Sequence, residues 1–122
     1  MDNFEYNQKA LGVWGEQLAA AYLNDLGYQI VFRNYRCRYG EMDLVCRHET
    51  IWCFVEVKTR RSTEYGQGWQ AITIRKQKRL RLIARCFLNE IADAVSGARF
   101  DIVAIDYRSA TDYRIRLLQN AF

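Results

Sequence analysis

Glu41–Thr59 reads EMDLVCRHETIWCFVEVKT. Two runs rich in strand formers, Glu41–Arg47 and Ile51–Thr59, flank a short polar connection at His48, Glu49 and Thr50, a pattern that predicts an antiparallel hairpin. In an extended strand alternate side chains share a face, so Glu56 and Lys58 point one way while Val55 and Val57 point into the opposite layer. With the turn at His48 and Glu49, Asp43 falls opposite Phe54 and diagonal to Glu56 on that same face, and Glu41 falls opposite Glu56. A slip of one residue would send the whole set to the other side of the sheet.

Carboxylates that face each other repel, and each raises the other's pKa unless a cation, a lysine or a hydrogen-bond network offsets the repulsion. A hard divalent ion does so, and Asp and Glu oxygens suit Mg²⁺ or Mn²⁺, which bind through one or two carboxylates plus waters and substrate phosphate oxygens. Beside such an ion Lys58 would supply a compact positive charge to the same phosphate. The same letters also fit a plainer reading: an exposed Glu56–Lys58 ion pair along the strand, worth roughly 0 to 1 kcal/mol, with Asp43 a surface residue near the turn.

Working outward, Leu11–Asp25 places Leu11, Trp14, Leu18, Ala21 and Tyr22 at spacings of three and four, and Gly27 follows as a left-handed stop, which predicts a first helix. Tyr28–Tyr35 alternates Tyr28, Ile30 and Phe32 against Gln29, Val31 and Arg33, the period of a strand, and a turn is expected around Arg38, Tyr39 and Gly40. Beyond the hairpin, a loop is expected from Arg60 to Trp69 around Gly66 and Gly68. A long helix should then begin near Thr73, with Leu80, Ile83, Ala84, Phe87, Leu88 and Ile91 as its apolar stripe. Phe100–Tyr107 (FDIVAIDY) reads as a buried strand and Tyr113–Leu118 as an edge strand. The order helix, three strands, helix, two strands gives an α/β class with a mixed sheet and a helix on each side.

A chain of 122 residues suits one domain spanning 1–122, because a second core would leave neither half enough apolar surface to bury. The start MDNFEYNQKA lacks the order of a secretory signal, and no apolar run approaches the roughly 20 residues of a membrane span, so a soluble cytoplasmic protein with no membrane partner is expected. Cys37, Cys46, Cys53 and Cys86 form no CxxC pair, which argues against a structural zinc site. The net charge of +4 is unevenly spread: Lys58, Arg60, Arg61, Arg75, Lys76, Lys78, Arg79, Arg81 and Arg85 are opposed only by Glu64. That quarter of the chain could meet a polyanion, with Arg60, Arg61, Arg75, Lys78, Arg79 and Arg81 as nucleic-acid contacts, or it could be an ordinary solvated helix face.

The segments Gly12–Val45 (GVWGEQLAAAYLNDLGYQIVFRNYRCRYGEMDLV), FVEVKTR, AITIRKQKRL and RFDIVAI together resemble the YraN family of endonuclease-like proteins. That family is similar to archaeal Holliday junction resolvases and to the wider PD-(D/E)xK nucleases, whose restriction-endonuclease-like three-layer core has the order α-β-β-β-α-β-β. The resemblance implies a metal-dependent DNA nuclease. By it, Glu16 in GEQLA matches the acidic residue on the first helix, Asp43 the motif aspartate, and Glu56 and Lys58 the ExK element. Asp43, Glu56 and the carbonyl of Val57 would hold Mg²⁺ or Mn²⁺, and Lys58 would position the attacking water. Lys76 matches a position from which relatives send a Lys or Gln toward the site, although a solvated helix lysine fits equally. Met42 stands where the superfamily's motif name has a proline.

Trp52 and Phe54 are expected in the core, and Tyr65 and Trp69, beside the glycine-containing loop, could touch a substrate base. His48 reads as a turn residue without a nucleophile partner, and Asp101 as a strand-opening residue that caps a turn or hydrogen-bonds near the site. Besides a nuclease for DNA, branched or junction DNA included, two alternatives stay open: a non-cleaving nucleic-acid-binding accessory module of the same fold, and a nuclease for RNA or single strands, since phosphate contacts carry no base identity. A homodimer through the carboxy-terminal edge strand would suit a symmetric four-way substrate.

Overall fold

The computed structural model describes residues 7–61, 72–91 and 96–122. Its elements are α1 (Gln8–Asp25), β1 (Gln29–Cys37), β2 (Gly40–His48), β3 (Ile51–Arg61), α2 (Ile74–Glu90), β4 (Ala98–Ser109) and β5 (Asp112–Leu118). The strands make one sheet in the order β1-β2-β3-β4-β5. Only β3 and β4 run parallel, so the sheet is mixed, as expected for strands separated by a crossing helix. The fold is therefore α/β with three layers, in the order inferred from the sequence.

Each helix covers one face. Ala19, Ala20 and Leu23 of α1 pack on Leu44, Cys46, Cys53, Val55, Val103 and Ile105. Leu80, Ile83, Ala84 and Phe87 of α2 pack on Met42, Val45, Trp52, Phe54 and Ile102. Along β3 the even positions Trp52 and Phe54 thus face α2 and the odd positions Cys53, Val55 and Val57 face α1. Glu56, two residues beyond Phe54, follows the α2 side, as the alternation required. Trp52 and Phe54 are buried, which removes both as stacking surfaces for a base.

Both helices begin at polar caps: Asn7 Oδ1 accepts the amide of Ala10, which starts α1 three residues earlier than expected, and Thr73 Oγ1 accepts that of Lys76. Gly27 has φ +92°, the left-handed residue that ends α1. In β1 the regular alternation fails, because the register with β2 shifts between Ile30 and Phe32 and Asn34 takes φ 54°. Ile30 therefore packs on the α1 side, whereas the Phe32 ring lies 5.7 Å from that of Phe87 on α2 and is half exposed.

The β2–β3 register also departs from expectation. His48 pairs with Ile51 and Leu44 with Val55, so the turn residues are Glu49, at φ 59°, and Thr50. A positive φ suits a two-residue hairpin, and moving the turn by one residue moves each pairing by two. Asp43 consequently comes level with Glu56 rather than Phe54, and Glu41 no longer faces Glu56. The shift is even, but alternation breaks at Asp43, between Met42 under α2 and Leu44 under α1, so Asp43 lines the cleft on the α1 side and does not share the α2 face of Glu56 by strand period. Arg60 and Arg61 belong to β3, not to a loop. Glu64, Tyr65, Gly66, Gly68 and Trp69 lie outside the described residues.

The opposite end of the sheet is closed by a polar clamp. Asp101, fully buried, accepts the Tyr28 hydroxyl at 2.8 Å, Arg99 Nε at 3.1 Å and the Asn120 amide at 2.8 Å. Arg99 Nη2 donates to the Tyr28 hydroxyl oxygen and to His48 Nδ1, each at 2.9 Å, and the Tyr28 and His48 rings stack at 4.3 Å. His48 is thus the last residue of β2 and part of this clamp, and Asp101 caps the carboxy-terminal turn on the α1 side, away from Glu56. Among the described residues no helix is long and apolar enough to cross a membrane.

A candidate acidic centre where two strands part

Backbone pairing of β2 and β3 runs from His48–Ile51 to Leu44–Val55. Beyond it Asp43 Oδ2 accepts the Val57 amide at 2.8 Å, so a side chain takes a place in the ladder. This bond fixes the carboxylate between the parting strands and within reach of Glu56. Val57 reaches the centre here through its N–H. Burial pushes Asp43 far above the ordinary carboxylate range. Its hydrogen bond with the Glu56 carboxyl and that group's charge push the same way, the Val57 amide opposes them, and the charge of Glu16 adds a smaller upward push.

Glu56 is 6% exposed, which rules out the exposed strand pair for it. The cation resting on it is Lys76 from the first turn of α2, with Nζ 2.6 Å from Oε2. That contact is a charge contact without hydrogen-bond alignment: Oε2 is buried and makes no hydrogen bond. Lys58 lies on the same side of β3, half-buried, and its ammonium holds its proton less tightly than usual, first because of burial and then because of Lys76, with Glu56 opposing.

Glu16 approaches from the α1 layer. Gly15 makes this possible, since a Cβ there would lie 1.9 Å from Thr59 Oγ1, and the bare glycine lets α1 settle onto β3. The Glu16 carboxyl is raised mainly by partial burial, then by the charges of Glu41 and Glu56. It lines a cleft of about 230 Å³ together with Gln17, Arg33, Asn34 and Asp43. Arg33 was not expected there: the bulge and the left-handed Asn34 that turn it toward the cleft leave no mark in a simple alternation.

Among the described residues no three His, Cys, Asp or Glu side chains gather into a set able to hold a metal by themselves, so Glu16 shares the cleft without completing a cage. Two carboxylates nonetheless fit Mg²⁺ or Mn²⁺, which commonly leave their other positions to water and substrate. Asp43 is pushed toward its neutral form and Glu56 rests on the Lys76 ammonium, so a divalent ion taking the place of that ammonium would offset the charge of both carboxylates.

Of the basic set, Arg60, Arg75, Lys78 and Arg79 are exposed, and Arg75, Lys76 and Arg79 line a second cleft of about 460 Å³ at the start of α2. Arg81 is exposed but its guanidinium sits over the Phe100 and Phe122 rings at 5.4 and 5.3 Å. Arg61 is half-buried, with its Nε and Nη2 covered.

Residues 15–105, which carry every acidic and lysine position just described, match the model of the uncharacterised protein family UPF0102. The chain belongs to family UPF0102. It is the family that the sequence resemblance named as YraN. A UPF0102 protein of Geobacter sulfurreducens is 45% identical over 117 residues, 96% of this chain and 91% of the relative. One from Rhodococcus opacus is 45% identical over 93% of this chain and 96% of its own, and one from Symbiobacterium thermophilum 41% over 93% and 97%. UPF0102 relatives thus match the hairpin, both helices and β4 together.

Proposed function

We propose that this UPF0102 protein is a metal-dependent cytoplasmic nuclease that hydrolyses phosphodiester bonds in DNA, branched or junction DNA included. The observation that carries the reading is the Asp43–Glu56 carboxyl pair, with Glu56 buried and Asp43 held by the Val57 amide at the point where β2 and β3 part. Asp43 and Glu56, with the Val57 carbonyl, would hold Mg²⁺ or Mn²⁺, whose charge would stabilise the negative charge that builds on a phosphate under attack. Lys58, whose proton is loosened, is suited to orient a water and to exchange a proton with it. Lys76 would leave Glu56 for a phosphate oxygen as the substrate arrives. Glu16 would hold a further water in the Arg33 cleft. As an edge strand, β5 suits pairing with a second copy, an arrangement whose two-fold axis would match a four-way junction.

One observation favours the non-cleaving accessory module instead: an ammonium already sits 2.6 Å from Glu56. Labelled duplex, single-stranded and four-way junction DNA, incubated with Mg²⁺, Mn²⁺ or chelator, separate the two. The nuclease reading expects metal-dependent cleavage that falls by about 10²-fold or more in Asp43→Asn and in Glu56→Gln. Binding without cleavage under every condition would establish the accessory module. Undiminished cleavage by both variants would remove the site assignment.

A further inference from the structure

The side of the sheet that carries Glu56 continues toward β5 with charge rather than apolar side chains. Leu118 of β5 and Ile102 of β4 belong to the core under α2, whereas Ile115, Leu117, Val103 and Ile105 belong to the core under α1. Alternation therefore directs Arg114, Arg116, Ala104 and Asp106 to the α2 side, together with Lys58 and Arg60 of β3. The register aligns them in two rows. Lys58 pairs with Ala104 and Ala104 with Arg116, while Arg60 pairs with Asp106 and Asp106 with Arg114. Neighbouring strands are roughly 4.8 Å apart, so Arg116 stands roughly 10 Å from Lys58 across a small alanine. Asp106, 1% exposed, anchors the row, with its Oδ2 3.7 Å from Arg116 Nη2. Arg116 Nε and Nη2 are themselves buried without a hydrogen bond, and the Arg114 side chain is exposed.

The other flank is also cationic. A Cβ on Gly40 would lie 3.7 Å from Arg79 Cδ, which places Arg79 over the β1–β2 turn. Because the strands run in the order β1-β2-β3-β4-β5, the acidic centre on β2 and β3 lies between Arg79 on one side and the β5 arginines on the other.

We infer that Arg114 and Arg116 bind the DNA backbone on the β5 side of the acidic centre while Arg79 binds it on the β1–β2 side, so that the strand crosses the sheet and is cut internally. This rests on the nuclease reading above. An enzyme that trims ends needs cations on one flank only, and a track through the centre needs them on both. Four outcomes are measurable by anisotropy of labelled DNA in chelator across a salt series. Arg114→Gln lowers affinity and makes log K against log salt shallower by about one, and Arg114→Lys restores the slope. Arg116→Gln acts in the same direction, with its thermal unfolding recorded alongside. Lys9→Gln, an equal loss of charge on exposed α1, leaves the slope as it was. With metal, wild-type protein cuts circular DNA that has no ends. The inference is overturned if Arg114→Gln binds like wild type, if Lys9→Gln costs as much, or if linear DNA is cut and circles are not. Loss of the inference alone leaves wild-type binding and linear cleavage in place. A protein that neither binds nor cuts any DNA ends both readings together.

Discussion

Asp43 is the residue on which the centre's electrostatics turn. Burial and the neighbouring Glu56 carboxyl raise its pKa, so the folded protein prefers it neutral. A raised carboxyl binds its proton more tightly in the folded chain than in the unfolded one. The stability linked to that proton is fully present below the unfolded value of about 3.9 and is lost as pH rises toward the raised folded value. In chelator, melting temperature should therefore fall from about pH 4 to about pH 8 in the wild type and fall less in Asp43→Asn, which should melt about 4 °C or more above it at the upper end. Added Mg²⁺ should stabilise the wild type and not the variant, because only the former gains a ligand-bound native state. Equal pH slopes in the two proteins would contradict this account of Asp43. The letters D, E and K gave the residue types and, by alternation, the shared face of Glu56 and Lys58, whereas Asp43 reaches Glu56 at a break in alternation, through its bond to the Val57 amide. The Lys76–Glu56 contact was beyond them as a derivation, since it depends on where the crossing helix lands and not on spacing within a strand.

At the scale of elements, α1 is seated by what Gly15 lacks. Gly15→Ala would set a methyl against Thr59 Oγ1 and Cβ, in a helix where Ala would otherwise be the better residue. The expected cost is about 1–3 kcal/mol despite the gain in helix propensity, read as a lower denaturation midpoint, with the Glu16 side of the cleft displaced. A neutral or stabilising result would mean that Thr59 rotates aside without consequence. Element types were legible where patterns were long: the stripe from Leu80 to Phe87 and the run through β4 are both buried as read. Registers were not, because they are decided by turns. One left-handed residue, Glu49, moves each β2–β3 pairing by two, and the bulge after Ile30 turns Phe32 and Arg33 to places that an unbroken alternation does not give them.

Across the whole molecule, the acidic centre and the Tyr28–Asp101–Arg99 clamp divide the work. The clamp ties the start of β1, the end of β2, the start of β4 and the carboxy-terminal turn into one satisfied network, so it favours stability. Asp101→Ala should cost about 3–5 kcal/mol, because it leaves Arg99 with an uncompensated charge in a confined place, and Tyr28→Phe about 1 kcal/mol or somewhat more. Chemical denaturation followed by tryptophan fluorescence reads both, and an Asp101→Ala cost no larger than that of Tyr28→Phe would show that the clamp is not charge-driven. A lone Tyr and a lone Asp, 73 positions apart, give no hint of such a bond in the sequence. They meet because β1 and β4 are brought to one end of the sheet by intervening strands.

The parallel pairing of β3 with β4 sets an order of assembly. The three strands from β1 to β3 join through short connections and can collapse early, whereas β4 can dock only after the chain has crossed the sheet through α2. The Asp43–Glu56 meeting is thus made by neighbouring strands, whereas its Lys76 partner is contributed by the element that crosses the sheet.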